Sequence, residues 1–263
     1  MEHRNISSLT ASSSLTNISS PTNISSLRGK QLIILGGSSG LGLATARAAA
    51  AEGAILTIVS GNQQRIDEAL SQLPEDATGY AVDLSREENI SAFFAARSSF
   101  DHLVYSAGEN LNLTNIVDTD IEKARGFFNL RYWGALAAIK YATPLINPGG
   151  SICLTSGTAN ARPGKGWAIA SSICGAIEGL VRAMAVELAP IRVNSVVPGV
   201  IRTNLWNSMP AEHRDKLYQS MENSLLVRRV GAAEDVALAF VYLMKQQFGT
   251  GQNIIVDGGT VLV

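Results

Sequence analysis

The chain has few of the residues that build disulfides or metal sites, and it carries little charge. Its 263 residues include only two cysteines, three histidines and 16% charged residues, with a formal net charge of -1. Cys153 and Cys174 lie in separate apolar segments without metal-ligand spacing, so we expect no metal site and free thiols in a reducing, cytoplasmic compartment. The near-neutral charge gives no reason to expect nucleic acid or an anionic membrane as a partner.

Long apolar runs are also missing. Segments such as "GALAAIKY" are short and interrupted, so the sequence predicts no membrane-spanning helix. Apolar residues are scarcest in residues 1–27, where "NISS" occurs three times, from Asn5, Asn17 and Asn23. This stretch is predicted to be a disordered Ser/Asn-rich tail, because it has too little apolar surface to offset chain entropy. Each "NIS" matches a glycosylation acceptor, but without an apolar signal segment we expect no glycan.

From residue 28 onward, short apolar segments alternate with helical ones. "QLIILG", "AILTIVS", "GYAVDL" and "HLVYSAG" are the first four predicted strands, and a long helix is predicted over roughly Asp120 to Tyr141. Strands that are apolar throughout indicate a parallel sheet covered on both faces. We therefore predict one α/β domain over residues 28–263, with a doubly wound, Rossmann-type sheet of about seven strands in the order 3-2-1-4-5-6-7.

The segment "LGGSSGLG" joins the first predicted strand to the first predicted helix. Gly36, Gly40 and Gly42 stand there in the spacing G-x-x-x-G-x-G. Glycines at such a turn let the backbone approach a pyrophosphate, which then sits at the helix N-terminus. The sequence therefore predicts a dinucleotide site.

The end of the second predicted strand, "VSGNQQR", indicates which dinucleotide binds. NAD enzymes usually place an acid there, but here the polar residues are Ser60, Asn62 and Arg65. Uncharged donors with an arginine suit a 2′-phosphate, so we predict NADP(H); the alternative is that Arg65 is simply a solvated helix residue. Asp83 closes the third strand and could bind the adenine amino group or cap the next helix.

Four segments of the chain resemble the short-chain dehydrogenase/reductase family, over about residues 28–263. These segments are "LGGSSGLG", "YSAG", "IRVNSVVPGVIRTNL" and "QNIIVDGG". The resemblance implies an NADP(H)-binding oxidoreductase. Beyond the residues already named, it implies cofactor contacts at Ser38, Ser39, Leu41, Leu84, Ala107, Gly108, Pro198, Gly199, Ile201 and Thr203.

The family's chemistry uses a tyrosine, a lysine four residues later, a serine and an asparagine, and only the serine is retained, as Ser156. Aligning "GAIEGLVRAMAVELAP" places Ala170 at the tyrosine position and Cys174 at the lysine position. Counting back from Gly134 and Pro144 places Arg131 at the asparagine position, although Asn129 fits if the register slips by two residues. Cys174 is expected to pack as a small hydrophobe, because burial among apolar residues raises a thiol pKa.

The replacements resemble a divergent, fungal secondary-metabolite branch of the same family. In that branch a "RYWGAL" helix and an "RPxKGW" loop accompany the missing tyrosine–lysine pair, and some members also steer a cycloaddition. The resemblance implies that Arg131, Ser156 and Trp167 form the active site, although Arg131 could also be a paired surface residue. Lys165 could contact substrate or point to solvent, and the aspartate that cycloaddition members carry in the loop is Gly164 here.

These observations predict an NADPH-dependent reductase of an imine, iminium or activated carbonyl in a hydrophobic small molecule. Two alternatives stay open: a non-redox cyclase or isomerase that keeps the cofactor as a scaffold, and an inactive NADPH-binding protein. The resemblance also implies a homodimer or homotetramer formed by two long helices, around Asp120–Tyr141 and Trp167–Leu188. Trp133 is expected either in the core or in a subunit contact.

Overall fold

The computed structural model describes residues 26–111 and 113–263, and seven parallel strands form its main sheet. The strands, in chain order, are β1 (Gln31–Leu35), β2 (Ile55–Ser60), β3 (Thr78–Ala81), β4 (Phe100–Tyr105), β5 (Ile146–Thr155), β6 (Arg192–Pro198), β7 (Ile201–Arg202), β8 (Gly231–Ala232) and β9 (Asn253–Val256). The main sheet has the order β3-β2-β1-β4-β5-β6-β9, and β7 pairs separately with β8. The predicted order is confirmed, with β9 as the seventh strand of the sheet.

Helices follow most of the strands and cover both faces of the sheet. They are α1 (Gly40–Ala51), α2 (Gln63–Leu70), α3 (Glu87–Ala95), α4 (Ile121–Phe128), α5 (Gly134–Ala142), α6 (Ala168–Glu187), α7 (Ala211–Ser224) and α8 (Ala233–Lys245). Alternate residues of β1 show the two-sided burial: Ile33 and Leu35 pack with α3, α5 and α6, whereas Leu32 and Ile34 pack with α1, α2 and α8. A parallel sheet buried on both faces explains why the strands read as continuous apolar runs.

The predicted tail of residues 1–27 lies almost entirely outside the described residues. Its last residue, Leu27, is 1% exposed and packs in the core with α1 and β2. The folded domain therefore already includes Leu27, one residue before the predicted boundary.

The long helix predicted over roughly Asp120 to Tyr141 is interrupted in the middle. Between α4 and α5 the residues Asn129–Trp133 form a π-helical turn. The Tyr105 hydroxyl donates a 2.5 Å hydrogen bond to the Leu130 carbonyl within this turn. Such π-bulges place an extra residue in a helix and occur frequently at functional sites; here the extra turn carries Arg131.

Helix α6 has the length and composition of a membrane span, although the sequence predicted none. An 18-residue window of α6 has a mean hydropathy of 1.5, and 22% of that window is buried. One such helix is weak evidence, because helices that pack within a fold pass the same test. Ile173, Ile177 and Val181 attach α6 to the sheet through the core.

Buried His102 on β4 couples folding to pH. Its Nδ1 lies 2.9 Å from Ser151 Oγ, and burial lowers the pKa of His102 to about 4. An unfolded histidine binds a proton below about pH 6.5, so unfolding takes up a proton between these two values. The stability that neutral His102 provides is fully present above about pH 6.5 and is lost progressively toward pH 4, by up to about 3 kcal/mol.

We therefore predict that His102→Gln, which keeps a hydrogen-bonding amide but cannot titrate, weakens the pH dependence of the thermal midpoint between pH 7 and pH 4.5. Thermal unfolding of both proteins across this range measures the difference. Two parallel pH profiles would contradict the assignment of this proton uptake to His102.

Candidate functional site

A cleft opens where β1, β2, β4 and β6 end, and most of the predicted cofactor residues line it. Because all these strands are parallel, their carboxyl ends meet at one edge, which is where such sheets bind ligands. The predicted residues that line the cleft are Gly36, Ser38, Ser39, Gly40, Leu41, Ser60, Asn62, Arg65, Asp83, Leu84, Ala107, Gly108, Pro198 and Thr203.

The glycine-rich loop presents free backbone donors to this cleft. Ser39 is the N-cap residue of α1 and forms no side-chain cap, so the first N–H groups of the helix lack the usual partner. Gly36 and Gly40 have positive φ angles of 93° and 51°. A Cβ atom on Gly40 would lie 3.7 Å from Thr203 across the cleft. A helix N-terminus with open donors and little side-chain bulk is suited to a phosphate group.

Three predicted cofactor residues lie outside the cleft lining. Gly42 faces inward, where a Cβ atom would overlap the Gly36 carbonyl and lie 2.6 Å from Ser106 Oγ. Ile201 is 6% exposed, and its side chain packs in the core with β6 and α8. Gly199 lines the neighbouring cavity instead. Gly42 thus allows the loop to pack closely against Gly36 and Ser106, and the Ile201 side chain contributes to the core.

The polar side chains after β2 use only some of their hydrogen-bonding groups within the protein. Ser38 Oγ donates to Ser60 Oγ at 2.8 Å, and the Asn62 side chain caps α2 by accepting from the Arg65 N–H at 2.9 Å. The Arg65 side chain is exposed at the edge of the cleft. A cation next to two hydroxyls and a helix N-terminus is a setting for an anionic group.

Asp83 stabilises a turn at the cleft wall. Its Oδ1 accepts from the N–H of Ser85 at 3.0 Å and from the Ser85 hydroxyl at 2.6 Å. These hydrogen bonds lower the pKa of Asp83, so its carboxylate is charged at neutral pH. Arg86, not Asp83, is the N-cap residue of α3. The alternative prediction that Asp83 caps this helix is therefore wrong, and Asp83 instead stabilises a turn in the loop before it.

A second cavity of about 330 Å³ adjoins the cleft. All three predicted catalytic residues, Arg131, Ser156 and Trp167, line it. Its apolar wall is formed mainly by Leu111, Ala124, Phe127, Ala159, Ile169, Ile173, Val200, Leu205 and Trp206. A mostly apolar cavity of this size with a few polar groups is typical of a small-molecule site.

Arg131 lies at the junction of the two spaces, since it lines both the cavity and the cleft. Its Nη2 donates to the backbone carbonyl of Glu109, and its Nε lies 3.5 Å from Glu109 Oε2. The guanidinium occupies the space that a side chain at Gly108 would need, because a Cβ atom there would lie 2.6 Å from Nη1. Burial lowers the pKa of Arg131 and raises the pKa of Glu109, and each charge opposes the shift of the other.

Part of the Arg131–Glu109 pair has no hydrogen-bond partner. Within the described part of the chain, Arg131 Nε and Glu109 Oε2 are both buried and make no hydrogen bond. Buried polar atoms usually find a partner. These two buried atoms therefore face each other as an ion pair without hydrogen-bond geometry.

Ser156, at the end of β5, is shared in the same way between the cavity and the cleft. Its hydroxyl lies 3.1 Å from the Cys174 carbonyl and 3.3 Å from Glu178 Oε1, both on α6. The second oxygen of Glu178 accepts a 3.0 Å hydrogen bond from Asn160 Nδ2. Ser156 is therefore a hydroxyl in the cavity wall with a carboxylate directly behind it.

Ala170 and Cys174, which occupy the expected tyrosine and lysine positions, both line the cavity. Burial raises the pKa of the Cys174 thiol to about 11, as the sequence predicted. Tyrosine is absent from the described residues of the cavity wall. Ala170 has no proton to transfer, and burial keeps the Cys174 thiol protonated at neutral pH.

The structure also gives the locations of several residues for which the sequence left alternatives open. Of the two candidates for the asparagine position, Arg131 lines the cavity, whereas Asn129 is exposed and lies outside the cavity wall. Lys165 and Gly164 line a shallow external groove rather than the cavity. Trp133 is 56% exposed, with its ring centroid 4.9 Å from that of Tyr132, so of its two predicted locations the core is excluded and the subunit contact stays a prediction.

Two residues of the site were missed by reasoning from the sequence. Glu109 directly follows "YSAG", and Glu178 lies one helical turn after Cys174. The position of Glu178 relative to Cys174 is a signal that could have been read, because residues four apart share a helix face. The pairing of Glu109 with Arg131 had no such signal, because it depends on how β4 and the π-helical turn meet.

No group of three or more His, Cys, Asp or Glu side chains within residues 26–111 and 113–263 is placed to hold a metal ion. The polar groups of the site are instead a guanidinium, a hydroxyl and backbone amides. These groups bind anions and hydrogen-bond acceptors.

Comparisons with known proteins match this architecture. The profile of a family described as enoyl-(acyl carrier protein) reductase matches residues 36–261. The short-chain dehydrogenase/reductase ATR9 of Stachybotrys chlorohalonatus is 33% identical over 251 residues, which cover 90% of this chain and 98% of the relative.

Two solved structures extend the likeness to three dimensions. The reductase/Diels–Alderase MalC from Malbranchea aurantiaca is 28% identical with a TM-score of 0.83, covering 90% of this chain and 98% of that one. A small-chain dehydrogenase in complex with NADPH is 30% identical with a TM-score of 0.77, covering 89% of this chain and all of that one.

The high pKa of Cys174 predicts slow alkylation. Only the thiolate reacts, so the rate of iodoacetamide labelling should rise about tenfold per pH unit from pH 7.5 to pH 9.5 and should not level off below about pH 11. Mass spectrometry of the labelled peptide measures this rate. Cys174→Ser is the control, because Cys153 is fully buried. A plateau near pH 8.5 would contradict the burial of Cys174.

Proposed function

Because the chain belongs to the short-chain dehydrogenase/reductase family, we propose that it is an NADPH-dependent reductase of an imine, an iminium or an activated carbonyl in a hydrophobic small molecule. One observation carries the proposal: an apolar cavity shares Arg131 and Ser156 with a dinucleotide-type cleft, and Ala170 and Cys174 stand where the family's proton donor and its lysine are expected.

The residues of the cleft fit NADPH. The open N-terminus of α1 and the glycine-rich loop suit the pyrophosphate, with Thr203 opposite. The exposed Arg65 cation beside Ser60 and Asn62 suits a 2′-phosphate, since no acid stands at the end of β2 to bind ribose hydroxyls. Leu84 and the Asp83 carboxylate, which line the cleft, would hold the adenine, and Pro198 and Ala107 would flank the nicotinamide.

The missing tyrosine limits which substrates suit the cavity. When bound, the reduced nicotinamide supplies a hydride. A ketone that accepts a hydride becomes an alkoxide, which must be protonated or stabilised. An iminium becomes a neutral amine directly, so it needs no proton donor of the tyrosine kind. The loss of that donor therefore favours a cationic or readily activated C=N substrate.

The chain's own residues would orient and shield such a substrate. The half-buried Trp167 offers an aromatic face to a planar or cationic group. Arg131 lines both the cavity and the cleft, and its guanidinium can hold a carbonyl or carboxylate of the substrate. The apolar wall excludes water, which strengthens both interactions.

A non-redox cyclase is the second candidate, since the similar structure of MalC is described as that of a reductase/Diels–Alderase. The residue three positions before Trp167 is Gly164, which lies outside the cavity wall and has no carboxylate. The reductase is therefore the preferred function. Conversion of a diene substrate without loss of NADPH would favour the cyclase instead.

We also propose a cytoplasmic homodimer or homotetramer. Trp133 near α5, Ile121 on α4 and Val186 on α6 are 56%, 57% and 82% exposed. Large apolar side chains exposed on neighbouring helices are typical of subunit contacts. The near-neutral net charge gives no support for nucleic acid as a partner.

Arg65 provides the test of cofactor choice. Arg65→Ala should weaken NADPH binding about tenfold, because a charge-assisted hydrogen bond to the 2′-phosphate is lost, and should leave NADH binding within about twofold. Fluorescence titration of both cofactors measures the two affinities. Arg47→Ala is the matched control, since Arg47 is exposed on α1 away from the cleft. Equal weakening of both cofactors would count against a 2′-phosphate site.

Arg131 provides the test of the active site. With a panel of cyclic imines, iminium salts and 1,2-diketones, Arg131→Ala should lower NADPH oxidation by about 100-fold or more, because a preorganised donor in a dry cavity is lost. Arg125→Ala is the control, because Arg125 is exposed on the neighbouring α4 and pairs with Glu122 at 3.4 Å. Thermal midpoints should confirm that both variants are folded.

Two results would contradict this account. Unchanged turnover in Arg131→Ala would remove Arg131 from the active site. Binding of NADPH without oxidation by any compound of the panel would reject the reductase and favour an inactive NADPH-binding protein.

A further inference from the structure

Ser156 and Glu178 form a hydroxyl–carboxylate pair behind the cavity wall that the chemistry described so far does not use. We propose that Glu178, acting through Ser156, supplies the proton needed to reduce a neutral imine. This inference rests on the proposed reductase function, and it supplies the proton source that an uncharged imine, unlike an iminium cation, requires.

The pair connects the cavity with the outside of the molecule. Ser156 lines the cavity, and its hydroxyl lies 3.3 Å from Glu178 Oε1. Glu178 does not line the cavity, and it is half-buried on α6 with an edge that water can reach. A proton can therefore pass from solvent to the Glu178 carboxyl and then to the Ser156 oxygen.

Two further residues hold the Glu178 carboxylate in place. Asn160 Nδ2 donates a 3.0 Å hydrogen bond to Glu178 Oε2, the oxygen that does not face Ser156. Asn160 reaches this position over Gly175, where a Cβ atom would come within 3.0 Å of Asn160 Oδ1. The loop after β5 and the middle of α6 thus fix one carboxylate oxygen toward the serine.

The other ionisable groups of the cavity are poorly suited to deliver a proton. Arg131 keeps its proton at any accessible pH. The Cys174 pKa of about 11 makes the thiol a weak acid. Asp120 accepts hydrogen bonds from Glu122 N–H and Lys123 N–H as the cap of α4, and it lies with Asp118 and Lys123 at the exposed mouth.

The proposed step balances as follows. The imine carbon gains a hydride from reduced nicotinamide, and the imine nitrogen gains the proton of the Ser156 hydroxyl. The Ser156 oxygen regains a proton from the Glu178 carboxyl, and Glu178 regains one from water. The imine is reduced by two electrons to a secondary amine, and the nicotinamide is oxidised.

A paired substrate comparison tests the relay. Glu178→Gln removes the transferable proton but keeps the hydrogen bonds, so kcat for a neutral cyclic imine should fall about 100-fold, the size of a general-acid contribution. The kcat for the N-methyl iminium salt of the same ring, which needs no proton, should stay within about twofold of the unmodified protein. Ser156→Ala should lower kcat for the neutral imine at least as much, because it removes the hydroxyl that faces the cavity.

The matched control is Glu187→Gln, because Glu187 is exposed on the same helix away from the cavity. It should leave both substrates unchanged. Equal losses for the two substrates in Glu178→Gln, or no loss for either, would overturn the relay while leaving the reductase intact. Failure of the unmodified protein to reduce either substrate would instead reject the proposed function.

A measurement without cofactor tests the relay even if the unmodified protein reduces neither substrate. Calorimetric titration of the cofactor-free protein with the cyclic imine, in two buffers of different ionisation enthalpy, counts the protons taken up on binding. A nearby carboxylate favours the protonated imine, so Glu178→Gln should take up fewer protons than the unmodified protein. Equal proton uptake by the two proteins would overturn the relay.

Discussion

The parallel direction of the main sheet is the constraint on which the site depends. Because neighbouring strands run the same way, their carboxyl ends meet at one edge. The glycine-rich loop follows β1, Glu109 lies just beyond β4, and Ser156 follows β5. Arg131 comes instead from the middle of a helical segment, and the π-helical turn carries it to the boundary between cleft and cavity. The cofactor cleft and the apolar cavity thus meet at a guanidinium and a hydroxyl.

Much of this arrangement could be predicted from the sequence, since apolar strands and the glycine spacing are local signals. Arg131 was also predicted correctly at the cavity, by counting along one helix. The π-helical turn could not be predicted in this way, because it involves a hydrogen bond to Leu130 from Tyr105, a residue on another element. The Glu109 contact depends on tertiary packing in the same way. Ile201 was predicted at the cofactor site from its motif, and the structure adds that its side chain packs in the core.

The predicted replacement of the family's tyrosine and lysine by Ala170 and Cys174 bears on the chemistry more than on the fold. Ala170 and Cys174 still lie in the cavity wall, so the space that a tyrosine ring would fill belongs to the ligand cavity. The remaining polar groups, Arg131 and Ser156, can orient a substrate, and each is backed by a carboxylate, Glu109 and Glu178 respectively. In the proposed function this combination suits an iminium, whose positive charge is neutralised by the hydride.

Transfer of a labelled hydride tests the central claim most directly. The protein would be incubated with a cyclic iminium salt and NADPH carrying deuterium at the transferable position of the nicotinamide. The account predicts that the amine product gains one deuterium at the former C=N carbon, as mass spectrometry would detect. Formation of an amine without deuterium, or conversion of the substrate without oxidation of NADPH, would contradict it.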